Sequence, residues 1–317
     1  MKEHIYLKSK IDGLRLGVLM YSPEQGTRRG IIQFAHGMCG CKERFKPAMK
    51  YLSEMGYICI ANDHRGHGES IIRREDLGYM YDGGWNALIE DMKSISDYAK
   101  SRFPGMKLFL VGHSMGSLAS RIYASRYGQE LAGMFLCGSP AKSPFAAIGR
   151  NLSELMCVTG LGHHRPALMQ KISSSSFNRQ FKEEGWQAWT CSDKSTRDAF
   201  AGNPICNFTF TANGSMNLLR MLKEAYDSNK THSCNPKLPV ILMNGEDDPC
   251  SKGQEGMKEA VAQTSTAGYT NITALCYPKM RHELLNETDY IRVLDDISRI
   301  IGKITSTKEH NNASCRA

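Results

Sequence analysis

The sequence predicts an α/β fold in which helices flank both faces of a mostly parallel sheet and a helical cap interrupts the core. Short apolar runs alternate with amphipathic stretches over the first half of the 317-residue chain. The runs are bounded by glycine or polar turns, as is typical of strands buried on both faces. The alternation stops near residue 139 and resumes near residue 237, which indicates an insertion between two parts of one core.

Each element follows from this pattern in chain order. The predicted strands span residues 30–35, 57–62, 107–111, 133–137, 239–244 and 271–277. The predicted helices span residues 44–55, 85–102, 115–127, 253–263 and 287–301. The chain is thereby divided into a first core part at residues 1–138, a cap at 139–236, a second core part at 237–304 and a polar tail at 305–317 that we expect to fray.

Composition and charge narrow the function classes. Hydrophobic residues make up 41% of the chain and charged residues 23%, which is ordinary for a globular protein. The net charge of +8 is modest, and its Lys and Arg residues are scattered, so nucleic-acid binding is not expected. Transient contact with an anionic membrane surface is compatible with this charge, and co-sedimentation with vesicles would test it. No feature of the sequence predicts the oligomeric state.

The cysteines predict reduced thiols rather than a disulfide framework. Their number, 11, is odd, and residues 1–13 are charged and lack the apolar core of a signal peptide. We therefore expect a cytoplasmic protein. Cys39-Gly40-Cys41 has no second Cys or His pair at zinc-site spacing, so no metal is expected. No cofactor is expected either.

A nucleophile is predicted at Ser114, within Gly112-His113-Ser114-Met115-Gly116. This G-x-S-x-G pattern stands between a predicted strand and a predicted helix, the setting in which a sharp turn projects the serine hydroxyl. The dipole of the following helix would favour an anionic intermediate at this point. The alternative is a glycine-rich turn with a bystander serine, which the strand–turn–helix context disfavours.

Two backbone N–H groups are predicted to bind the oxyanion that forms in acyl chemistry. One belongs to Met115, directly after the serine, and the other to Met38, in the loop after strand 30–35. Gly37 lets that loop approach the serine closely. Taken alone, His36-Gly37 reads as an ordinary loop start, and its pairing with the serine turn favours the functional interpretation.

The predicted acid and base come from the second core part. Strand 239–244 runs into a loop that holds two aspartates, and Asp248 is preferred to Asp247 because the following Pro249 biases it towards extended backbone. His282 follows the next strand and is the predicted general base, since this fold places its residues in the order serine, acid, histidine. The histidines at the other sheet ends are expected to be structural: His36, His64, His67 and His113.

Residues 62–70, with the order Asp-His-Arg-Gly-His-Gly-Glu-Ser after Asn62, carry a family resemblance. They resemble the D-x-R-G-H-G-x-S signature of the monoacylglycerol lipase and lysophospholipase branch of the α/β-hydrolase superfamily, which includes serine aminopeptidase-like hydrolases. The likeness covers essentially the whole chain and is of bacterial type. It implies a triad of Ser114, Asp248 and His282 with oxyanion donors at Met38 and Met115.

The resemblance also implies a substrate class. Relatives cleave carboxylic esters such as monoacylglycerols, lysophospholipids and similar acyl esters, which are small molecules. An amidase or peptidase on the same triad and a non-catalytic binding protein of the same fold remain as alternatives. The chain departs from the family pattern in one place, the loop after strand 30–35. Many relatives carry Glu-His there, whereas this chain has Cys39-Gly40-Cys41, so the shape and polarity of the pocket at this loop should differ.

The predicted cap is rich in apolar side chains, and we expect it to govern substrate choice. Some of these side chains should pack the cap onto the core, and others should line an apolar site for an acyl chain. They are Leu152, Leu155, Met156, Leu161, Leu168, Phe177, Phe181, Trp186, Trp189, Phe200, Phe208 and Phe210.

Overall fold

A computed structural model of the protein describes residues 1–143, 146–166, 175–185 and 187–314, with side chains up to residue 306. Its described residues form one eight-stranded sheet in the order β1-β2-β4-β3-β5-β6-β7-β8. The strands are β1 (Lys2–Lys8), β2 (Arg15–Tyr21), β3 (Gly30–Ala35), β4 (Tyr57–Asn62), β5 (Leu108–His113), β6 (Leu131–Cys137), β7 (Val240–Gly245) and β8 (Ile272–Tyr277). Strands β4, β3 and β5 to β8 pair in parallel, and β2 is antiparallel to both of its neighbours.

The described α-helices are α1 (Lys46–Glu54), α2 (Gly84–Arg102), α3 (Met115–Tyr127), α4 (Ala146–Val158), α5 (Lys194–Ala201), α6 (Ala212–Ala225), α7 (Gly253–Thr266) and α8 (Tyr290–Ser314). Short 3-10 helices span Lys42–Phe45, Arg74–Asp76, Gly128–Glu130, Asn178–Glu184, Ala188–Thr190 and Leu284–Asn286. Throughout the portion of the chain searched, every helix is too short or too polar to cross a membrane.

The sheet separates two apolar layers, as expected for strands covered on both faces. On one face, α2, α3, α6 and α7 bury side chains such as Met92, Leu118 and Met221 against the sheet. On the other face, α1 and α8 do the same with side chains such as Leu52 and Ile297. The predicted mostly parallel sheet with helices on both faces is thereby confirmed.

Most predicted elements lie within one to three residues of the observed ones, and β3, β4 and α3 have the predicted bounds. Two parts of the chain differ from the predicted elements. Strands β1 and β2 were not predicted; along the edge strand β1 exposed residues alternate with half-buried ones, so it looks like a polar start. Helix α8 continues to Ser314 and so includes part of the predicted polar tail, whose fraying stays a prediction.

Helices α4, α5 and α6 fall within the predicted cap, residues 139–236. Helix α6 packs against α4 and also against α2 and α3, so part of this segment closes over the core. Residues 144–145, 167–174 and 186 of the predicted cap lie outside the described residues. The boundaries of the cap stay a prediction.

A buried arginine holds the loop after β4 in place. Arg65 is fully buried, and its guanidinium donates to the carboxylate of Asp91 on α2 at 2.9 Å and to that of Asp12 in the β1–β2 turn at 2.9 Å. Asp91 is itself 1% exposed. Removing one partner from such a pair leaves the other charge buried without compensation, which is costly.

We expect Arg65→Met to lower the free energy of unfolding by about 3–5 kcal/mol, because it leaves the Asp91 carboxylate unpaired in the interior. Urea unfolding followed by circular dichroism would measure the loss. Lys100→Met is the matched control, since Lys100 pairs with Glu130 at the surface and such pairs are worth about 1 kcal/mol or less. Equal losses for the two variants would contradict the structural role of Arg65.

Candidate active site

Ser114 stands in the sharp turn between β5 and α3 with φ 53° and ψ −118°. A positive φ is unfavourable for a residue with a Cβ atom and persists only where the surroundings hold it. The Ser114 N–H donates to the carbonyl of Cys137 at the end of β6 at 3.0 Å, and the Ser114 carbonyl accepts from the Ser117 N–H at 2.8 Å. These bonds fix the turn from both sides.

Two glycines make room for this turn. A Cβ atom on Gly112 would lie 2.3 Å from the Ser120 hydroxyl and 2.5 Å from the Gly116 carbonyl. A Cβ atom on Gly116 would lie 2.1 Å from the carbonyl oxygen of Ala35 at the end of β3. Neither position can hold a larger residue unless backbone moves, which explains the spacing of the glycines around the serine.

The structure brings the predicted acid, base and nucleophile into one hydrogen-bonded row. His282 Nδ1–H donates to Asp248 Oδ2 at 3.0 Å, and the Ser114 hydroxyl donates to His282 Nε2 at 2.8 Å. His282 and Asp248 are 3% and 1% exposed, whereas Ser114 is half-buried, so the row opens to solvent at the serine. Asp247 is exposed, and its N–H donates to the Met280 carbonyl, so the structure places it outside the row.

Parallel strands explain why these groups meet. Ser114 follows β5, Asp248 lies beyond β7 and His282 lies beyond β8, so all three leave the sheet at the carboxyl edge of its strands. Ligands of open α/β sheets bind at this edge. Asp248 is held there by its own loop, where its Oδ1 accepts from the Cys250 N–H at 2.9 Å.

The electrostatics of the row favour an ionised acid beside a basic imidazole. Burial favours the neutral form of His282, but the charge of Asp248 and the hydrogen bond to it outweigh burial and raise the pKa of His282 above 6.5. Burial alone would raise the pKa of Asp248. The charge of His282 and the hydrogen bond to it outweigh burial and lower this pKa below 3.8. The carboxylate therefore stays charged across neutral pH.

The predicted oxyanion donors belong to the turn at Ser114 and to the loop after β3. Met115 is the first residue of α3, where a backbone N–H has no partner within its own helix. Met38 follows Gly37, and a Cβ atom on Gly37 would lie only 3.0 Å from the Ser114 Cβ. The loop after β3 therefore passes directly beside the serine, as the sequence predicts.

The remaining histidines near the sheet ends are buried and serve packing. His36 Nδ1–H donates to the Gly37 carbonyl at 2.8 Å, and His36 Nε2 accepts from the His64 N–H at 2.9 Å. Burial lowers the pKa of His36 and of His67 to about 3. His113 Nε2–H donates to the His282 carbonyl at 3.2 Å. The His113 ring therefore helps to position the loop after β8 that carries His282, called here the histidine loop (residues 278–283).

The sequence analysis missed an ion pair that borders the site. Arg44 Nη2 lies 2.8 Å from Glu283 Oε2, and both side chains are largely buried. Burial alone would raise the pKa of Glu283, but the charge of Arg44 outweighs it and lowers this pKa to about 2. The position of Glu283 next to the predicted base could have indicated a role near the site. Its partner Arg44 is 239 residues away in the chain, so no local pattern pairs the two.

Residues of the predicted cap contact the histidine loop. The Trp189 ring lies 5.0 Å from the His282 ring and 4.9 Å from the Phe177 ring, between centroids. Arg281 donates to the Ala188 carbonyl at 2.7 Å, and its guanidinium lies 3.8 Å from the centre of the Phe181 ring. An apolar aromatic surface therefore borders the base on the side of the cap.

Other apolar residues of the predicted cap divide between core and surface. Phe210 is buried, and Phe200 and Phe208 pack against the same core cluster. Leu152, Leu155 and Leu161 are 46%, 61% and 50% exposed, so these three do not pack the cap onto the core. Leu168 and Trp186 lie outside the described residues.

In the part of the chain that was described and searched, there is no group of three or more His, Cys, Asp or Glu side chains arranged to hold a metal ion.

Comparison of the whole chain with known proteins finds hydrolases. A family model described as serine aminopeptidase, S33, matches residues 26–289. The monoacylglycerol lipase of Mycolicibacterium smegmatis is 23% identical over 292 residues, which cover 91% of this chain and 93% of that protein. The human monoglyceride lipase is 29% identical over 125 residues, or 39% of each chain.

Solved structures share the fold. A thermostable carboxyl esterase from Bacillus coagulans superposes with a TM-score of 0.88 at 23% identity, covering 96% of this chain and 98% of that one. A soluble variant of the monoglyceride lipase from Saccharomyces cerevisiae superposes with a TM-score of 0.74 at 20% identity, covering 95% of each. These likenesses extend over nearly the whole chain and confirm the predicted fold class.

We expect the pKa of His282 to exceed 6.5 in the native protein and to fall below that of the native protein in Asp248→Asn, because the variant removes the charge while burial remains. Titration of the ring by nuclear magnetic resonance, with His282→Gln to assign its signals, would measure both values. Asp247→Asn is the control and should leave the pKa unchanged. A fall in Asp247→Asn but not in Asp248→Asn would reverse the choice between the two aspartates.

Proposed function

Because this chain belongs to the serine aminopeptidase S33 family of α/β-hydrolases, we propose that Ser114, His282 and Asp248 form the catalytic triad of a carboxylic-ester hydrolase. The observation that supports the triad is the row of two hydrogen bonds, 2.8 Å and 3.0 Å long, that joins the hydroxyl, the imidazole and the carboxylate. Its members leave one edge of the sheet next to two candidate oxyanion donors.

The first half-reaction forms an acyl-enzyme. His282 Nε2 takes the proton of Ser114 as the serine oxygen attacks the ester carbonyl, while Asp248 holds the Nδ1 proton and stabilises the imidazolium. The carbonyl oxygen becomes an oxyanion, which the N–H groups of Met38 and Met115 would bind. His282 then gives its proton to the leaving alcohol as the tetrahedral intermediate breaks down.

The second half-reaction releases the acid. A water molecule gives a proton to His282 Nε2 and attacks the acyl carbonyl, and a second oxyanion forms at the same donors. The serine oxygen leaves and recovers the proton from His282. One ester and one water are thus converted into one carboxylic acid and one alcohol, with the protein unchanged.

We propose acyl esters such as monoacylglycerols or lysophospholipids as the substrates. The relatives from M. smegmatis and human are named monoacylglycerol and monoglyceride lipases. Trp189 lies beside His282 and Phe177 lies beside Trp189, and the two rings supply an apolar surface of the kind that an acyl chain requires. The family description as serine aminopeptidase favours an amidase or peptidase as the second candidate on the same triad.

Ser114→Ala should reduce turnover of a short acyl ester on the order of a million-fold, because only the nucleophilic oxygen is lost. It should also abolish labelling by a fluorophosphonate probe. Ser125→Ala, on the same helix α3, is the matched control and should keep both properties. Retention of most activity by Ser114→Ala would contradict the triad, and faster cleavage of the matched amide than of the ester would favour the second candidate.

Catalytic efficiency should rise with acyl length over short to medium esters, since each methylene buried against the aromatic surface contributes about 0.8 kcal/mol. It should plateau or fall once the apolar site is full. Kinetics over a graded series of esters would measure the optimum, and Trp189→Ala should shift it. Leu155→Ala is the control, because Leu155 is 61% exposed on α4. Highest efficiency on the acetyl ester, with a steady decline thereafter, would contradict a lipid-type substrate.

A further inference from the structure

Two segments far apart in the chain meet at the loop after β3, whose Gly37 lies beside Ser114. One is the oxyanion loop, defined here as residues 36–41, and the other is the cap segment 206–208. The Asn207 N–H donates to the Cys39 carbonyl at 3.2 Å, and the Cys39 thiol donates to the Phe208 carbonyl at 2.8 Å. A third contact joins the sulfurs of Cys41 and Cys206 at 3.3 Å. The two segments therefore lie side by side over several residues.

The two thiols are well placed for a covalent bond. A disulfide needs an S–S distance of about 2.05 Å, so the sulfurs would have to approach by only about 1.2 Å. The backbone hydrogen bond from the Asn207 N–H to the Cys39 carbonyl already holds the two segments together. Of the ten free cysteines in the described residues, these two are the pair whose sulfurs are in hydrogen-bond contact.

The surroundings of the pair also differ from those of the neighbouring thiols. The hydrogen bond between the two thiols lowers the pKa of Cys41, although burial and the charge of Asp63 act against it, and the charge of Arg44 adds to the lowering. Burial instead raises the pKa of Cys39 and of Cys250. The thiolate is the reactive form of cysteine, so Cys41 is the better nucleophile of the oxyanion loop.

We propose that Cys41 and Cys206 form a reversible disulfide that ties the predicted cap to the oxyanion loop when the protein meets a hydroperoxide. The Cys41 thiolate attacks one oxygen of hydrogen peroxide, which gives a sulfenic acid and hydroxide. The Cys206 sulfur then attacks the sulfenic sulfur and releases water. Two thiols lose two electrons and two protons, and one peroxide becomes two waters. A dithiol such as dithiothreitol reverses the step.

The bond would act on the site through the oxyanion loop. Cys41 lies three residues after Met38, so drawing the sulfurs together moves the loop that carries a proposed oxyanion donor. Moving a catalytic group by about 1 Å lowers the reaction rate by up to about a hundredfold. We therefore expect turnover to fall about tenfold in the oxidised protein. This second effect rests on the proposed function, whereas formation of the bond does not.

The full-length protein would be treated with hydrogen peroxide, blocked with iodoacetamide under denaturing conditions and digested for mass spectrometry. The expected product is a peptide pair that contains Cys41 and Cys206, two hydrogens lighter than the reduced pair and lost after dithiothreitol. Cys206→Ala should not form it, and Cys41→Ala serves as a second variant if the first fails to fold. Cys191→Ala is the matched control, because this buried cap thiol faces the Asn286 carbonyl rather than a sulfur and should leave the pair intact.

Each outcome decides one step. Full alkylation of Cys41 and Cys206 after peroxide treatment, with no linked peptides, would overturn the disulfide. A linked pair with unchanged turnover would overturn the effect on the oxyanion loop. In the native protein and in Cys191→Ala, we expect turnover to fall after peroxide treatment and to recover after dithiothreitol. In Cys206→Ala, we expect no such fall. Peptide mapping needs no activity, so the disulfide can be judged even if the triad assignment fails.

Discussion

The strained turn at Ser114 is the constraint on which the arrangement of this edge of the sheet depends. With φ at 53°, the serine departs from the strand abruptly and its hydroxyl points at His282. The strain is held by packing rather than by local preference, because the glycines at 112 and 116 let β3 and α3 close to van der Waals distance around it. Any side chain there would push the neighbouring strand away from the serine.

Buried charges hold the loops around this turn. The Asp63 carboxylate accepts from the Lys42 N–H, from the Lys42 ammonium and from the Glu69 N–H, each at 2.7 to 2.8 Å. Lys42 directly follows the oxyanion loop, and Asp63 directly follows β4, so one carboxylate joins two neighbouring strand ends. Arg65 extends the same arrangement to α2. The three hydrogen bonds to Asp63 make the junction between these two loops rigid, which suits a site whose groups must keep their positions.

The histidine loop is held differently, by the predicted cap. Arg281 donates to the Ala188 carbonyl and the Trp189 ring packs against His282, and Glu287 accepts from the N–H groups of both Ser192 and Arg281. The segment expected to select the substrate is therefore also a support for the base. Changes in this segment can be expected to alter the position of His282 as well as the shape of the substrate site.

Local patterns in the sequence were sufficient for the parallel core, since β3 and β4 are short apolar runs bounded by glycine or polar turns and α3 is a helical stretch that directly follows the serine turn. They also predicted Ser114, Asp248 and His282, because strand order places these loops at one edge. Hairpin β1–β2, the Arg44–Glu283 pair and the contact between Cys41 and Cys206 were decided only by the tertiary structure. The ion pair and the thiol contact join residues that are 239 and 165 positions apart, and no local pattern encodes such a pairing. The hairpin joins neighbouring segments, but its edge strand β1 is only half-buried and therefore lacks a clear apolar run.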